Sequence, residues 1–113
     1  MPHPIPEPLA ALIAERFRAL AEPTRIRILD RLRESPATVQ ELTGELPTTQ
    51  QNVSKHLAVL RQAGIVDRRK DGTRMYYAIA DPAVFDLCDR VCGTLRRELA
   101  ELAELVGEEP PPG

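Results

Sequence analysis

Apolar side chains recur at intervals of three and four residues along most of this 113-residue chain, and that spacing predicts amphipathic α-helices. Five stretches carry it: 9–20, 23–33, 38–46, 47–64 and 82–106. Between the last two stretches the period falls to two, in runs that flank the pair Asp71-Gly72. An Asp-Gly pair in this setting is typical of a tight β-hairpin in which both turn positions take positive φ. The pattern therefore predicts a mainly α fold of about five helices with one two-stranded hairpin.

The two ends of the chain lack this pattern. Residues 1–8 alternate with proline, which fixes φ and removes a backbone donor, so we expect a disordered, non-helical tail. Residues 107–113 combine glutamates with prolines and are also expected to be disordered. The length of the chain fits a single domain, which we assign to residues 9–106.

The stretch 47–64 has two dissimilar faces. Val53, Leu57 and Leu60 form a narrow apolar stripe for a core. The opposite face carries side chains that donate hydrogen bonds, none of them acidic: Gln50, Gln51, Ser54, Lys55 and Arg61. Because amides pair with adenine edges and cations with phosphates, this face suits a DNA groove. An ordinary solvated helix would have the same pattern in isolation.

The flanking segments favour DNA binding. Thr38 and Glu41 fit a capping box that begins the preceding short helix. Either Thr48 or Thr49 can cap the helix that follows, and Thr48 with Gln51 fits a second capping box. Gly64 can end that second helix in the left-handed conformation. Two short helices joined by a tight turn, the second of them basic, match the plan of a helix-turn-helix.

The hairpin is basic at its tip, with Arg68, Arg69 and Lys70 on the first strand and Arg74 on the second. A basic hairpin directly after a helix-turn-helix is typical of a wing, which lies on the phosphate backbone or in the minor groove. The alternative is a charged edge that only discourages aggregation. We favour the wing because the preceding helix predicts DNA binding independently.

Charge is distributed unevenly along the chain, although the net charge is only −2. Residues 47–80 carry six basic and two acidic side chains, whereas residues 81–113 carry three basic and eight acidic ones. A basic middle segment fits a polyanionic partner such as double-stranded DNA. The charge distribution therefore supports binding to DNA, although the net charge alone would disfavour it.

Enzymatic and membrane functions find no support in the sequence. It contains no nucleophile with a neighbouring base, no metal triad and no glycine-rich phosphate loop, and the predicted function requires no cofactor. No apolar run approaches the ~20 residues that cross a bilayer, and the N-terminus lacks a signal-peptide pattern. We expect a cytoplasmic protein that binds no membrane and keeps its two cysteines reduced.

The last predicted helix is longer than a domain of this size needs, at roughly 35–40 Å. Its apolar seam, together with the apolar stripe of the first helix, predicts a homodimer interface. The residues assigned to this interface are Leu9, Leu12, Ile13, Val84, Cys88, Val91, Cys92, Leu95, Leu99 and Leu102. The alternative is a long helix that folds back on its own domain.

Residues 20–29, 53–66 and 68–77 together resemble the ArsR/SmtB-type winged helix-turn-helix repressors of bacteria and archaea. The resemblance implies a dimeric transcriptional regulator that binds a near-palindromic operator and leaves it when an effector arrives. The residues expected to contact DNA are Thr49, Gln50, Gln51, Ser54, Lys55, His56, Arg61, Arg68, Arg69, Lys70 and Arg74. Of these, His56 is assigned on the resemblance, and its alternative role is to pack against the preceding helix. A winged helix that binds only protein remains the alternative in another class.

The metal sites best known in this family lack their ligands here. The arsenic and cadmium site has the run Cys-Val-Cys-Asp-Leu, where this chain has Thr-Val-Gln-Glu-Leu at 38–42. At the zinc and nickel site, Asp81 fits the first position, but Ala83, Thr94 and Arg97 stand where histidines would be. We therefore expect neither family-standard site.

Cys88 and Cys92 keep a second function open. They lie at i and i+4 on the last helix. Two thiolates at that spacing can chelate a thiophilic metal or metalloid ion such as As(III), Hg(II) or Cd(II), or can sense oxidants. Buried cysteine otherwise behaves as a small hydrophobic residue. The sequence is compatible with both a thiol-based sensor and a pair of core cysteines.

Overall fold

A computed structural model describes residues 1–107, in two compact units that meet in sequence at Asp81 and Pro82. The elements of the first unit are α1 (Glu7–Leu20), α2 (Pro23–Leu32), α3 (Val39–Glu45), α4 (Gln50–Gln62), β1 (Val66–Asp71) and β2 (Arg74–Ile79). The second unit contains α5 (Ala83–Leu105). Five helices and one antiparallel hairpin confirm the predicted fold class.

The ends of the chain differ slightly from the prediction. Helix α1 begins at Glu7, two residues before the predicted start, because Pro8 lies in the first turn, where its missing N–H costs no hydrogen bond. At the other end, α5 is followed by Val106 and by Gly107, which has a φ of 76°. The rest of the predicted C-terminal tail, residues 108–113, lies outside the described residues.

The core of the first unit is built from the apolar faces of α2, α3, α4 and the start of β1. Its largest fully buried side chains in this unit are Ile28, Leu29, Leu42, Val53, Leu57, Leu60 and Ile65, joined by Val66 at 2% exposure. Burial of each such side chain stabilises the fold by about 1.5–3 kcal/mol. Helical spacing from Leu29 and Leu32 predicts that Ile26 also points inward, but Ile26 is 47% exposed. Ile28 takes the inward position, since with Leu29 and Leu32 it forms one helical face.

The hairpin turns over two residues, Gly72 and Thr73, because Asp71 pairs with Arg74 in the register. Only Gly72 has a positive φ, of 65°, so the expectation that Asp71 also takes one is wrong. A glycine at the first turn position and an ordinary residue at the second are typical of a type II′ turn. The predicted glycine is therefore in the turn, but it occupies the first turn position instead of the second.

The hairpin is fastened to the segment before α3 by backbone hydrogen bonds. The N–H of Ala37 donates to the carbonyl of Tyr77 at 3.0 Å, and the N–H of Tyr77 donates to the carbonyl of Ala37 at 2.8 Å. Both residues are buried. This isolated bridge gives β2 a partner on each side and holds the base of the hairpin next to the start of the helix-turn-helix.

Helix α5 is the secondary structure element of the second unit within the described residues. It has 23 residues and is about 34 Å long at 1.5 Å per residue. An Asp-Pro pair such as Asp81-Pro82 predicts that the aspartate caps the helix, but the N-cap is Pro82, with no side-chain capping bond. The carboxylate of Asp81 instead accepts a hydrogen bond from Nη1 of Arg16 at 2.6 Å, within the first unit. None of the described helices has the length and apolar character needed to span a membrane.

Candidate nucleic-acid interface

The N-terminus of α3 is fixed by the predicted capping box. The hydroxyl of Thr38 accepts from the N–H of Glu41 at 3.1 Å, and the carboxylate of Glu41 accepts from the N–H of Thr38 at 3.2 Å. Leu42 on α3 and Val53 on α4 are both fully buried, so the two helices are anchored by their apolar sides. The opposite side of α4 is left to solvent.

Helix α4 is capped by Thr49, one of the two adjacent threonines that the sequence offers as its N-cap. The hydroxyl of Thr49 accepts from the N–H of Asn52 at 3.2 Å. The amide of Asn52 donates to the hydroxyl of Thr48 at 2.7 Å. The predicted capping box of Thr48 with Gln51 is therefore replaced, because Thr49 is the N-cap and Asn52 is the residue three positions on. Gln51 consequently lies in the first turn, with its amide outside the cap.

The solvent face of α4 contains the predicted polar residues and one that the prediction missed. Gln51, Ser54 and Lys55 are exposed. Ala58 is exposed on the same face, four residues after Ser54. A small apolar side chain in this position is suited to contact with a thymine methyl group. The spacing of four residues from Ser54 would have placed Ala58 on this face from the sequence alone. The prediction considered only polar side chains and so omitted an alanine.

An open depression of about 560 Å³ begins at the N-terminus of α4. Its lining includes Thr49, Gln51, Asn52 and Lys55. The positive end of a helix dipole and the N–H groups of a first turn favour an anion such as a phosphate. Lys55 adds a full positive charge on the same side, so this end of the helix is an electrostatic match for the edge of a DNA groove.

His56 is buried, which corrects the expectation that it contacts DNA. Its side chain is 9% exposed, and its Nδ1 lies 3.1 Å from Nη1 of Arg25 on α2. Residue 56 lies three positions after Val53 and four before Leu60, so it shares their buried side of the helix. That spacing could have identified His56 as a packing residue from the sequence.

Arg25 and Glu22 complete a polar cluster around His56. The N–H of Arg25 donates to the carboxylate of Glu22 at 3.0 Å and so caps α2. The guanidinium of Arg25 donates from Nε to the carbonyl of Ala19 at 2.7 Å and from Nη2 to that of Arg18 at 3.2 Å. The cluster therefore connects the end of α1, the start of α2 and the middle of α4, and it fixes how α4 is presented.

The cations of the hairpin are exposed but do not share one face. Side chains that are paired across the strands point to the same side, so Arg68 and Lys70 share a face with Tyr77 and Met75. That face carries two cations and no carboxylate. Arg69 and Arg74 lie on the other face, where Asp67 and Asp71 cancel their charge. All four predicted cations are exposed, and the positive field is concentrated on the face of Arg68 and Lys70.

Helix α5 exposes the row of large apolar residues that the sequence assigned to an interface. Val91, Leu95, Leu99 and Leu102 are between 49% and 57% exposed in a single chain. Val84 is only 5% exposed, so it is already packed within one chain and is removed from the predicted interface set. Cys88 is half-buried and Cys92 is exposed.

On α1, Leu12 is 63% exposed, whereas Leu9 and Ile13 are half-buried. Phe17, which was not assigned to the interface, is 53% exposed. It lies four residues after Ile13 and five after Leu12, so the apolar surface of α1 extends one turn beyond the predicted set.

Within residues 1–107, no group of three or more His, Cys, Asp or Glu side chains is arranged to hold a metal ion. The two cysteines are not joined in a disulfide. The first unit presents an exposed polar face on α4 and, directly after it in the chain, a basic hairpin.

Comparison with other proteins supports this description. Residues 20–69 match the model of a helix-turn-helix domain family. The chain is 43% identical over 96 residues to the HTH-type transcriptional regulator Rv0081 of Mycobacterium tuberculosis, covering 84% of each chain. It is 41% identical over 80 residues to the HTH-type transcriptional repressor SmtB of the same species, covering 71% of this chain and 59% of SmtB.

Solved structures agree with the sequence comparison. The crystal structure of Rv0081 from M. tuberculosis superposes with a TM-score of 0.75 at 41% identity, covering 87% of this chain and 99% of that one. The solution structure of the homodimeric winged helix-turn-helix domain of Mb0332 from Mycobacterium bovis superposes with a TM-score of 0.71 at 29% identity, covering 84% and 90%. The chain belongs to the ArsR/SmtB family of winged helix-turn-helix transcriptional regulators.

Proposed function

We propose that this protein is a homodimeric transcriptional repressor that binds a near-palindromic operator in double-stranded DNA. The observation that carries the proposal is the solvent face of α4, where Gln51, Ser54 and Lys55 project beside an uncovered helix N-terminus. The names of the relatives, which include a transcriptional repressor, support the same function. In this account the protein acts by binding and not by catalysis, in the cytoplasm, and needs no cofactor.

The base contacts are assigned to the N-terminal half of α4, the part of a recognition helix that meets base edges in the major groove. Gln50 and Gln51 have amides that can pair with adenine, and Ser54 donates or accepts a single hydrogen bond. Ala58 is assigned to a thymine methyl. An A·T-containing half-site is the sequence that these side chains suit best.

The phosphate contacts are assigned to cations around this helix. Lys55 and Arg61 flank its exposed face, and the hairpin adds Arg68 and Lys70 on its positive face. Arg69 and Arg74 contribute less because Asp67 and Asp71 share their side. Thr49 remains exposed, and its hydroxyl is engaged in the cap. Contacts of this kind set affinity and register but carry no direct base information.

Dimerisation is assigned to the exposed apolar rows of α5 and α1. Uncovered leucines such as Leu95 and Leu99 on α5 form a stripe that a symmetry mate would cover. Two copies related by a two-fold axis bring two α4 helices to half-sites about 34–36 Å apart on the DNA. An effector that favours a dimer with another spacing of these helices would release the operator.

Selection of binding sites from random duplex DNA tests the proposal. The full-length protein is incubated with a library at low salt, and the bound fraction is sequenced over several rounds. The proposal predicts an inverted repeat whose half-sites have centres about 10 base pairs apart, or a multiple of one helical turn. A set of bound sequences with no shared motif would refute sequence-specific recognition, and an unrepeated motif would refute the two-fold arrangement.

A further inference from the structure

A second depression, the α2 cleft, has a volume of about 250 Å³ and lies beside the turn that leads into α4. The residues that line it are Pro23, Thr24, Arg27, Leu46, Pro47 and Thr48. Pro47 and Thr48 also line the depression at the start of α4. The two depressions therefore adjoin, so a DNA backbone that passes the start of α4 also reaches the side of α2.

Arg27 gives the α2 cleft a positive charge. Its side chain is exposed, and within residues 1–107 its guanidinium forms no ion pair or hydrogen bond. None of the six lining residues is acidic, and Asp30, one turn later on α2, is not among them. Arg31 differs from Arg27 because its Nε donates to the carboxylate of Glu45 at 2.5 Å. Arg27 is therefore available to an anion, whereas Arg31 is already engaged.

Two threonine hydroxyls give the α2 cleft further hydrogen-bond donors. The hydroxyl of Thr48 accepts from Nδ2 of Asn52 at 2.7 Å, so its own proton is left for another acceptor. Thr24 is half-buried, and its hydroxyl makes no hydrogen bond within the described part of the chain. A guanidinium and hydroxyls are donors that commonly contact phosphate oxygens. The α2 cleft therefore suits a singly charged phosphodiester.

We propose that Arg27, Thr24 and Thr48 bind one phosphate of the DNA backbone, next to the bases that α4 contacts. This site rests on the proposed function: because the α2 cleft adjoins the start of α4, the phosphate that reaches it belongs to the duplex that α4 binds. The contact adds affinity and fixes register but carries no direct base information. None of the three residues is among the DNA contacts assigned from the sequence, and they extend the interface of each half-site onto α2.

Methylphosphonate scanning of the selected operator tests the contact. Each duplex carries one uncharged methylphosphonate, and its affinity for the full-length wild type, Arg27→Ala and Lys55→Ala is measured by fluorescence anisotropy. At one phosphate in each half-site, the methylphosphonate should weaken binding by the wild type about 10-fold, as expected for the loss of a hydrogen bond to a charged group. Arg27→Ala should be insensitive there, and Lys55→Ala should remain sensitive. Equal penalties in the wild type and Arg27→Ala at every phosphate would overturn the proposal.

Matched substitutions on α2 separate a phosphate contact from a structural role. Arg27→Ala should lower the slope of log affinity against log salt by about 0.9, on the operator and on an unrelated duplex alike. Arg27→Lys keeps the charge and should keep the slope. The control Arg31→Ala deletes the same side chain one turn further along, where it is paired with Glu45, and should leave the slope unchanged. Equal reductions in Arg27→Ala and Arg31→Ala would contradict a specific contact by Arg27.

Thr24→Val and Thr48→Val test the hydroxyls. Each removes a neutral donor, so affinity should fall about 3-fold at an unchanged salt slope, and unchanged affinity in both would exclude the hydroxyls from the site. Circular dichroism of each variant provides the control for folding. A wild type that binds no operator would refute the proposed function and the α2 cleft with it. A wild type that binds the operator, with equal affinity and slope in Arg27→Ala, would refute the α2 cleft alone.

Discussion

Nη1 of Arg25 and Nδ1 of His56 lie 3.1 Å apart, on helices α2 and α4. A guanidinium has only donors, so Nδ1 accepts this hydrogen bond, and a neutral imidazole then carries its proton on Nε2. Nε2 faces the carboxylate of Glu22 at 3.6 Å, which is beyond hydrogen-bonding distance. The imidazole thus lies between a cation and a carboxylate, where it holds two helices in position and does not reach the solvent face of α4.

Replacing His56 is expected to affect stability more than base recognition. His56→Ala leaves the guanidinium of Arg25 without one buried partner, so the free energy of unfolding should fall by about 1–3 kcal/mol. Lys55→Ala, at the neighbouring exposed position, should change it by no more than about 0.5 kcal/mol while weakening DNA binding. Urea denaturation measures the first effect and fluorescence anisotropy the second. If His56→Ala lost DNA binding but kept the free energy of unfolding unchanged, His56 would have to be reassigned as a DNA contact.

Gln51 is expected to carry base discrimination. Gln51→Ala removes an amide from the N-terminal part of α4, so the preference for the operator over a sequence with a substituted adenine should fall by about 1–3 kcal/mol. The control is Gln62→Ala, which deletes the same side chain at the C-terminal end of the helix, where contact with bases is not expected. Competition binding with single-base-pair variants of the operator measures both. Equal losses in the two variants would contradict the assigned orientation of the helix.

The two faces of the hairpin are expected to differ in the salt dependence of DNA binding. The double variant Arg68→Ala with Lys70→Ala should lower the slope of log affinity against log salt by about 2, since each phosphate contact contributes about 0.9. Arg69→Ala with Arg74→Ala should lower it by less, because Asp67 and Asp71 offset those cations.

Neither double variant is expected to change base preference. Affinity is measured at four or more salt concentrations on the operator and on one unrelated duplex. A larger fall in slope for Arg69 and Arg74 would reverse the assignment of the two faces. A change in base preference would show that the hairpin reads sequence.

The apolar row of α5 is expected to hold the dimer. Leu95→Glu or Leu99→Glu introduces a charge in each copy and removes burial worth roughly 1.5–3 kcal/mol per side chain, so the dissociation constant of the dimer should rise at least about 100-fold. Arg97→Glu adds the same side chain on the opposite side of the helix and should leave dimerisation unchanged. Sedimentation velocity distinguishes these results. A stable dimer in both leucine variants would exclude this row from the interface.

Local patterns in the sequence predict most of the fold. The stripe of Val53, Leu57 and Leu60 and the capping box at Thr38 each depend on neighbours a few residues away, and they are found where the sequence suggests. Gly72 lies in the hairpin turn as expected, but at the first turn position. At the start of α4 the sequence offers two adjacent threonines with equivalent hydroxyls, and Thr49 is the one that caps the helix. Such a choice depends on the turn that precedes the helix.

The features that local sequence patterns do not predict depend on long-range contacts. Arg25 and His56 are 31 residues apart in sequence, and their helical positions mark them as inward-facing without naming a partner. The family resemblance assigns His56 to DNA, with packing against the preceding helix as the alternative, and the burial of His56 favours the alternative. The burial of Val84 likewise depends on packing within the folded chain, which the spacing of an apolar seam does not specify.

The most direct test of DNA recognition by α4 is the binding of the full-length protein to the duplex upstream of its own gene. Fluorescence anisotropy is followed at low and physiological salt, with an unrelated duplex of equal length as competitor. Binding to the upstream duplex should be at least about 1,000-fold tighter than to the competitor, and this preference should fall by about 1–3 kcal/mol in Gln51→Ala. Equal affinity for the two duplexes, or a preference that persists in Gln51→Ala combined with Ser54→Ala, would contradict recognition by α4.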